Sequence, residues 1–152
     1  MNYWEDIEIG RNFETGEITV TAADIIDFAT KFDPQPYHLD PAVAEHSIFG
    51  GHCASGWQIC ALMMRLLVDT MNRDGVRSVG SAEVESLRWH RPVFANDTLN
   101  AQICVTGRKP STDYKQYGLI DCAIEVVNQS GEKVISLTTD MLIEREEEVT
   151  DE

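Results

Sequence analysis

At 152 residues the chain suits one domain, large enough to bury a core that needs no disulfide staples. Its 26 acidic against 12 basic residues leave a net charge of −14, which argues against nucleic-acid binding, since that relies on clustered Lys and Arg. The four cysteines, Cys53, Cys60, Cys104 and Cys122, form no Cys-x-x-Cys pair, so neither a zinc site nor a redox motif is signalled.

The first residues, Trp4-Glu5-Asp6-Ile7-Glu8, are acidic and broken rather than basic then apolar, so no signal peptide is read there. A cytoplasmic, reduced setting is the simplest expectation. An early strand is expected around 17–21. Thr21, followed three residues later by Asp24 and then by Ile25, Ile26, Phe28, Ala29 and Phe32, reads as the N-cap of an amphipathic helix that stops before Pro34. The end of that helix delivers Asp33 to the next segment.

That segment, FDPQPYHLDP from Phe32 to Pro41, sets an acid, Asp33, five residues before a base, His38. Pro34, Pro36 and Pro41 forbid a continuous helix through it, so a stiff loop is expected. A carboxylate and an imidazole held at fixed separation are what general acid–base catalysis requires. A plainer reading also stands: Asp33 caps the preceding helix and His38 is a buried, hydrogen-bonded residue. Asp40-Pro41 reads as a second helix start, with Pro at the first helical position, giving a short turn through Ala44 and Glu45.

A second loop, Phe49-Gly50-Gly51-His52-Cys53-Ala54-Ser55-Gly56, is rich in small residues that permit close approach of a ligand to backbone N–H groups. Ser55 reads equally as an ordinary helix N-cap. From Ser55 or Gly56 to about Asn72 runs the strongest helix of the sequence. Gln58, Arg65, Asp69 and Asn72 make one narrow polar stripe on it, and a helix apolar around the rest of its girth is expected to be buried. The apolar run 59–68 is interrupted by Arg65 and is too short to span a bilayer, so no membrane partner is expected.

After Arg73-Asp74-Gly75 the period changes to alternation. Strands are expected at 79–89, 98–106, 117–127 and 134–143, and their short connections imply an antiparallel meander. With one long helix this is an α+β layout in which the sheet wraps the helix. One domain is expected over 1–145, followed by an acidic, solvated tail at 146–152.

The run FATKFDPQPYHLDPAVA and the later FGGHCASGWQICALMMRLLVD together resemble the MaoC-like dehydratases, relatives of the (R)-specific enoyl-CoA hydratases. Asp33, Pro36, His38, Asp40 and Pro41 match that family's hydratase pattern. Phe32 stands where the family usually has Gly, and Gln35 where it usually has Asn. Arg91-Pro92-Val93, Asp97-Thr98-Leu99 and 128–132 also look like family elements, so the resemblance covers nearly the whole chain.

The resemblance implies the hot-dog fold, a long central helix wrapped by an antiparallel sheet, and a homodimer or higher even oligomer. It implies reversible hydration of a trans-2-enoyl thioester to the (R)-3-hydroxyacyl thioester, carried by coenzyme A or acyl carrier protein. Asp33 would accept a proton from a bound water that His38 orients, and the Gly56 N–H, assisted by Ser55, would hold the thioester oxygen. Gln35 and Pro36 would orient the loop. Neither cofactor nor metal is implied. The acidic chain repels an anionic thioester, with screening beyond about 8 Å, so a local basic patch is needed, and Arg88, Arg91, Arg108 and Lys109 are the candidates. Thioester hydrolysis on the same fold, and acyl-CoA binding without turnover, are the alternative functions.

Overall fold

The computed structural model of the protein describes residues 2–146, so the expected acidic tail lies outside them from residue 147 onward. In chain order it has a 3-10 turn at Trp4–Asp6, β1 (Asn12–Thr19), α1 (Ala22–Phe32), α2 (Pro36–Leu39), α3 (Pro41–Glu45), α4 (Gly56–Arg73), β2 (Val84–Trp89), β3 (Thr98–Pro110), β4 (Tyr117–Val127) and β5 (Lys133–Glu144). The strands form one antiparallel sheet in the order β1-β3-β4-β5-β2. It packs on α4 through Ile59, Met63, Leu66 and Leu67 from the helix and Leu99, Ile103, Ile124 and Ile135 from the strands, all buried. This is the hot-dog architecture.

Local chemistry accounts for the helix ends. The Thr21 side chain accepts from the Asp24 N–H, and the Asp40 side chain accepts from the Ala42 N–H, so each satisfies a donor the first helical turn leaves open. Pro36 and Pro41 both occupy first-turn positions where a missing N–H costs nothing. The segment between Asp33 and Asp40 is therefore not a plain loop, as expected, but carries a single helical turn ending at His38 and Leu39.

The expected meander holds only for β3, β4 and β5. β2 sits at the far edge beside β5, because the chain leaves the sheet after Trp89 and crosses over to β3, between β1 and β4. On the way Cys53 bridges to Phe94, the Ala54 N–H donates to the Val93 carbonyl, and Val20 exchanges backbone hydrogen bonds with Asn96 and Asp97. β2 also begins at Val84 rather than 79. There the Asp140 carboxylate takes the Ala82 and Glu83 N–H groups, and Gly80 at φ +68 turns the chain off the ladder. β1 starts earlier than expected, and β3 runs past 106 to Pro110 across an irregularity between Val105 and Gly107.

The central helix is not apolar inside and polar outside. Gln58, assigned to the polar stripe, is 4% exposed, whereas Trp57 (60%), Met64 (46%) and Val68 (41%) face outward. With Ala61 they make a stripe at intervals of four, three and four residues along one face. Trp57 meets Trp89 of β2 edge-on at 5.0 Å between ring centroids, so the stripe is continuous with the open edge strand. Among the described residues no helix is long and apolar enough to cross a membrane.

Candidate active site

Asp33 is the residue that ends α1: its N–H still donates to the Ala29 carbonyl at 2.9 Å, while its own φ of −150° takes the chain out of the helix. The following turn then swings His38 back over it. His38 Nε2 lies 3.3 Å from Asp33 Oδ2, and both side chains are shielded, at 6% and 19% exposure. The other ring nitrogen, Nδ1, donates to the Cys53 carbonyl at 2.7 Å. A carbonyl only accepts, so Nδ1 carries a proton, and this bond holds the ring with Nε2 facing the carboxylate. A single water can reach both atoms.

Opposed influences act on the Asp33 carboxyl. Burial pushes it up, but hydrogen bonding from Gln35, the nearby Ser55 hydroxyl and His38 outweigh burial and hold it below the usual carboxylate range. The Gln35 side-chain N–H donates to Asp33 Oδ1 at 2.7 Å, and the Tyr37 hydroxyl donates to Gln35 Oε1 at 2.8 Å. Ser55 does not cap α4 with its side chain. Its hydroxyl is fully buried beside Asp33 yet lacks a well-formed hydrogen bond, so a polar atom can still be received there.

These groups open on a cleft of about 610 Å³ lined by Asp33, Tyr37, His38, Gly56, Trp57, Ile59, Trp89, Arg91, Val93 and Ile135 among others. Gly56 is the first residue of α4, so its N–H has no partner within the helix and carries the positive end of the helix dipole. The Trp89 indole packs on the glycine: a Cβ there would stand 2.5–2.9 Å from the ring. Gly50, at φ +69, makes the preceding turn.

Asp33, His38, Gln35 and Gly56 thus line one cleft, and Ser55 lies just behind it; Pro36 begins the turn that carries His38. The four basic candidates do not gather with them. Arg91 lines the cleft, paired with Glu132 at 2.7 Å, whereas Arg88 faces out from edge strand β2 without lining it. Arg108 lies over the Trp4 ring at 4.1 Å and donates to the Trp4 carbonyl, near the β3 end away from the cleft, and Lys109 lines a separate hollow with Glu83, Glu85, Asp121 and Asp140. Three residues beyond the expected set also shape the site: Tyr37 through Gln35, Cys53 through its carbonyl, and His52, whose Nε2 donates to the His38 carbonyl at 2.6 Å. Among the described residues no cluster suited to a metal ion occurs.

The curated protein YdeM of Bacillus subtilis, itself uncharacterized, is 28% identical over 141 residues, 93% of this chain and 98% of its own. The (R)-specific enoyl-CoA hydratase of Rhodospirillum rubrum is 27% identical over 115 residues, 75% of this chain and 76% of its own. The crystal structure of a MaoC-like dehydratase from Rhodospirillum rubrum superposes with a TM-score of 0.83 at 35% identity, over 97% of this chain and 99% of that one. The sequence model of the MaoC like domain matches residues 6–126. The chain belongs to the MaoC-like domain family.

Proposed function

We propose that the protein is a hydro-lyase that adds water reversibly to a trans-2-enoyl thioester, giving the (R)-3-hydroxyacyl thioester. The observation that carries this reading is the pairing of His38 Nε2 with Asp33 Oδ2 at 3.3 Å, on the wall of a largely apolar cleft beside the first N–H of α4.

In this scheme a water is held between Asp33 Oδ2 and His38 Nε2. Asp33 takes one proton as the oxygen adds to the β-carbon, and the double-bond electrons move through the α-carbon to the thioester oxygen. The Gly56 N–H and the helix dipole receive the charge that grows there, a contribution of about 3 kcal/mol for one such donor. The proton then passes to the α-carbon on the same face, and the thioester carbonyl re-forms. Water supplies both the hydroxyl and the α-proton, so the addition is syn and no cofactor takes part.

The thioester is carried by coenzyme A or an acyl carrier protein, with Arg91 on the cleft wall, and Arg88 three residues before it, as the candidate cations for its phosphates. A second copy of the chain covers the stripe of Trp57, Ala61, Met64 and Val68 and the open edge of β2, which gives a homodimer and brings the partner's surface to the cleft. We assign the protein to the cytoplasm, where thiols such as its four unpaired cysteines persist.

Chiral analysis of the product from crotonyl-CoA tests the reading. Accumulation of the (R)-3-hydroxy thioester is the expected result. Release of free coenzyme A without a 3-hydroxy product would move the reaction to the carbonyl and make the protein a thioesterase.

A further inference from the structure

We propose that Tyr37 is a positioning residue for the reaction, acting through Gln35: its hydroxyl fixes the Gln35 amide so that the amide N–H holds Asp33 Oδ1 and leaves Oδ2 alone to face the water. The proposal rests on the reading of Asp33 as the base.

The chain of contacts runs one way. Tyr37 Oη donates to Gln35 Oε1 at 2.8 Å, and Gln35 Nε2 donates to Asp33 Oδ1 at 2.7 Å. Turned by half a rotation, the amide would set Oε1 against the carboxylate, acceptor to acceptor, at hydrogen-bond distance. That arrangement is repulsive, so the Asp33 charge selects one amide orientation and Tyr37 completes it from the other side. The terminal torsion of a glutamine is otherwise soft and close to two-fold, and Gln35 is exposed, so nothing but these two bonds defines its rotation.

Tyr37 is itself well placed to stay fixed and to stay a donor. Its ring lies 4.2 Å from the His38 ring and 5.2 Å from Phe49. Burial, then the Asp33 and Cys53 charges, push its hydroxyl above the usual phenol range, so it keeps its proton at every pH at which the enzyme would work. Tyr37 lines the cleft but reaches Asp33 only through the amide. A carboxylate pinned at one oxygen cannot rotate, which keeps the bound water aligned on His38 Nε2.

The test compares wild type, Tyr37→Phe, Gln35→Met and the double variant by two readouts. The first is the Asp33 carboxyl titration, followed by NMR in protein labelled at the aspartate carboxyl and assigned with Asp33→Asn. The second is kcat and KM for crotonyl-CoA hydration against pH. Each single variant is expected to raise the Asp33 titration by about half a unit or more, since a donor to the charged form has been loosened or lost. Each is also expected to lower kcat roughly tenfold with KM within about twofold. The double variant should be no worse than Gln35→Met, the signature of two residues acting through one bond chain. A Tyr37→Phe protein with an unchanged Asp33 titration, or additive losses in the double variant, overturns the proposal. A wild-type protein that does not hydrate enoyl thioesters refutes the reaction instead, and the carboxyl titration still decides whether Tyr37 governs Asp33.

Discussion

His38 and His52 hold each other's segments from opposite directions. The His52 ring donates to the His38 carbonyl at 2.6 Å, and the His38 ring donates to the carbonyl of Cys53, the residue after His52, at 2.7 Å. The turn that bears the base is thereby clasped to the segment that leads into α4, and the ring cannot swing away from Asp33 without breaking a short hydrogen bond.

His52→Ala removes one half of that clasp. The expected result is a loss of about 1 kcal/mol in stability and a fall in kcat of between roughly tenfold and a hundredfold, the range for a reacting group displaced by up to an ångström. His52→Gln, which keeps a side-chain donor, should lose less. Thermal midpoints and steady-state kinetics on the two variants check this, and equal kcat in all three proteins would show that the clasp does not position His38.

Gly56→Ala places a methyl group 2.5–2.9 Å from the Trp89 indole, closer than any real contact allows. The indole has to move or α4 has to shift, and overpacking of this kind costs about 1–3 kcal/mol. A Trp89→Leu replacement in the Gly56→Ala background should return most of the stability, because it removes the atoms the new methyl meets. Urea unfolding of wild type and the two variants measures the expected recovery.

The lowered Asp33 carboxyl has a definite consequence for stability against pH. Its native value lies below the ordinary 3.8, so the unfolded chain binds the proton first as pH falls. The stabilisation from ionised Asp33 is therefore fully present above 3.8 and is lost as pH drops through the lower native value. Asp33→Asn should be less stable than wild type at neutral pH, and the gap should close in acid. Denaturant midpoints of both proteins across this range test it, with a gap independent of pH as the contrary result.

Burial in the sheet pushes the Cys122 thiol up to about 12, with the Asp121 charge adding to the effect. It is fully covered, whereas Cys60 and Cys104 are partly exposed. Brief alkylation of the native protein at neutral pH should label Cys60 or Cys104 and spare Cys122 until the protein is unfolded, as mass mapping of the modified peptides would reveal.

Much of the fold was legible where the signal is local. The Thr21 cap and Pro34 bound α1, Asp40-Pro41 starts α3, and alternation fits β4 at residues 117–127. Local signals do not say which strand pairs with which. β2 pairs with β5 because the chain after Trp89 is drawn to the 53–54 segment and then to Val20, partners set by long-range contacts. The burial of α4 was misjudged for a related reason: hydrophobicity marks Trp57, Met64 and Val68 as needing cover without saying whether this chain or another supplies it. At the site, the spacing of Asp33 and His38 was visible, and Gln35 stood out as a departure from the family pattern. The Tyr37 to Gln35 bond and the His52 to His38 bond depend on side-chain directions that no spacing encodes. The four cations looked like one patch only because two pairs are close in sequence, whereas the sheet separates the pairs.

The most direct measurement is the loss of conjugated absorbance of crotonyl-CoA and longer trans-2-enoyl-CoAs, run beside a thiol-release assay, for wild type and Asp33→Asn. Hydration through Asp33 predicts that absorbance falls without thiol release in wild type and stays constant in Asp33→Asn, with the variant still folded. An Asp33→Asn protein that hydrates at the wild-type rate would contradict it.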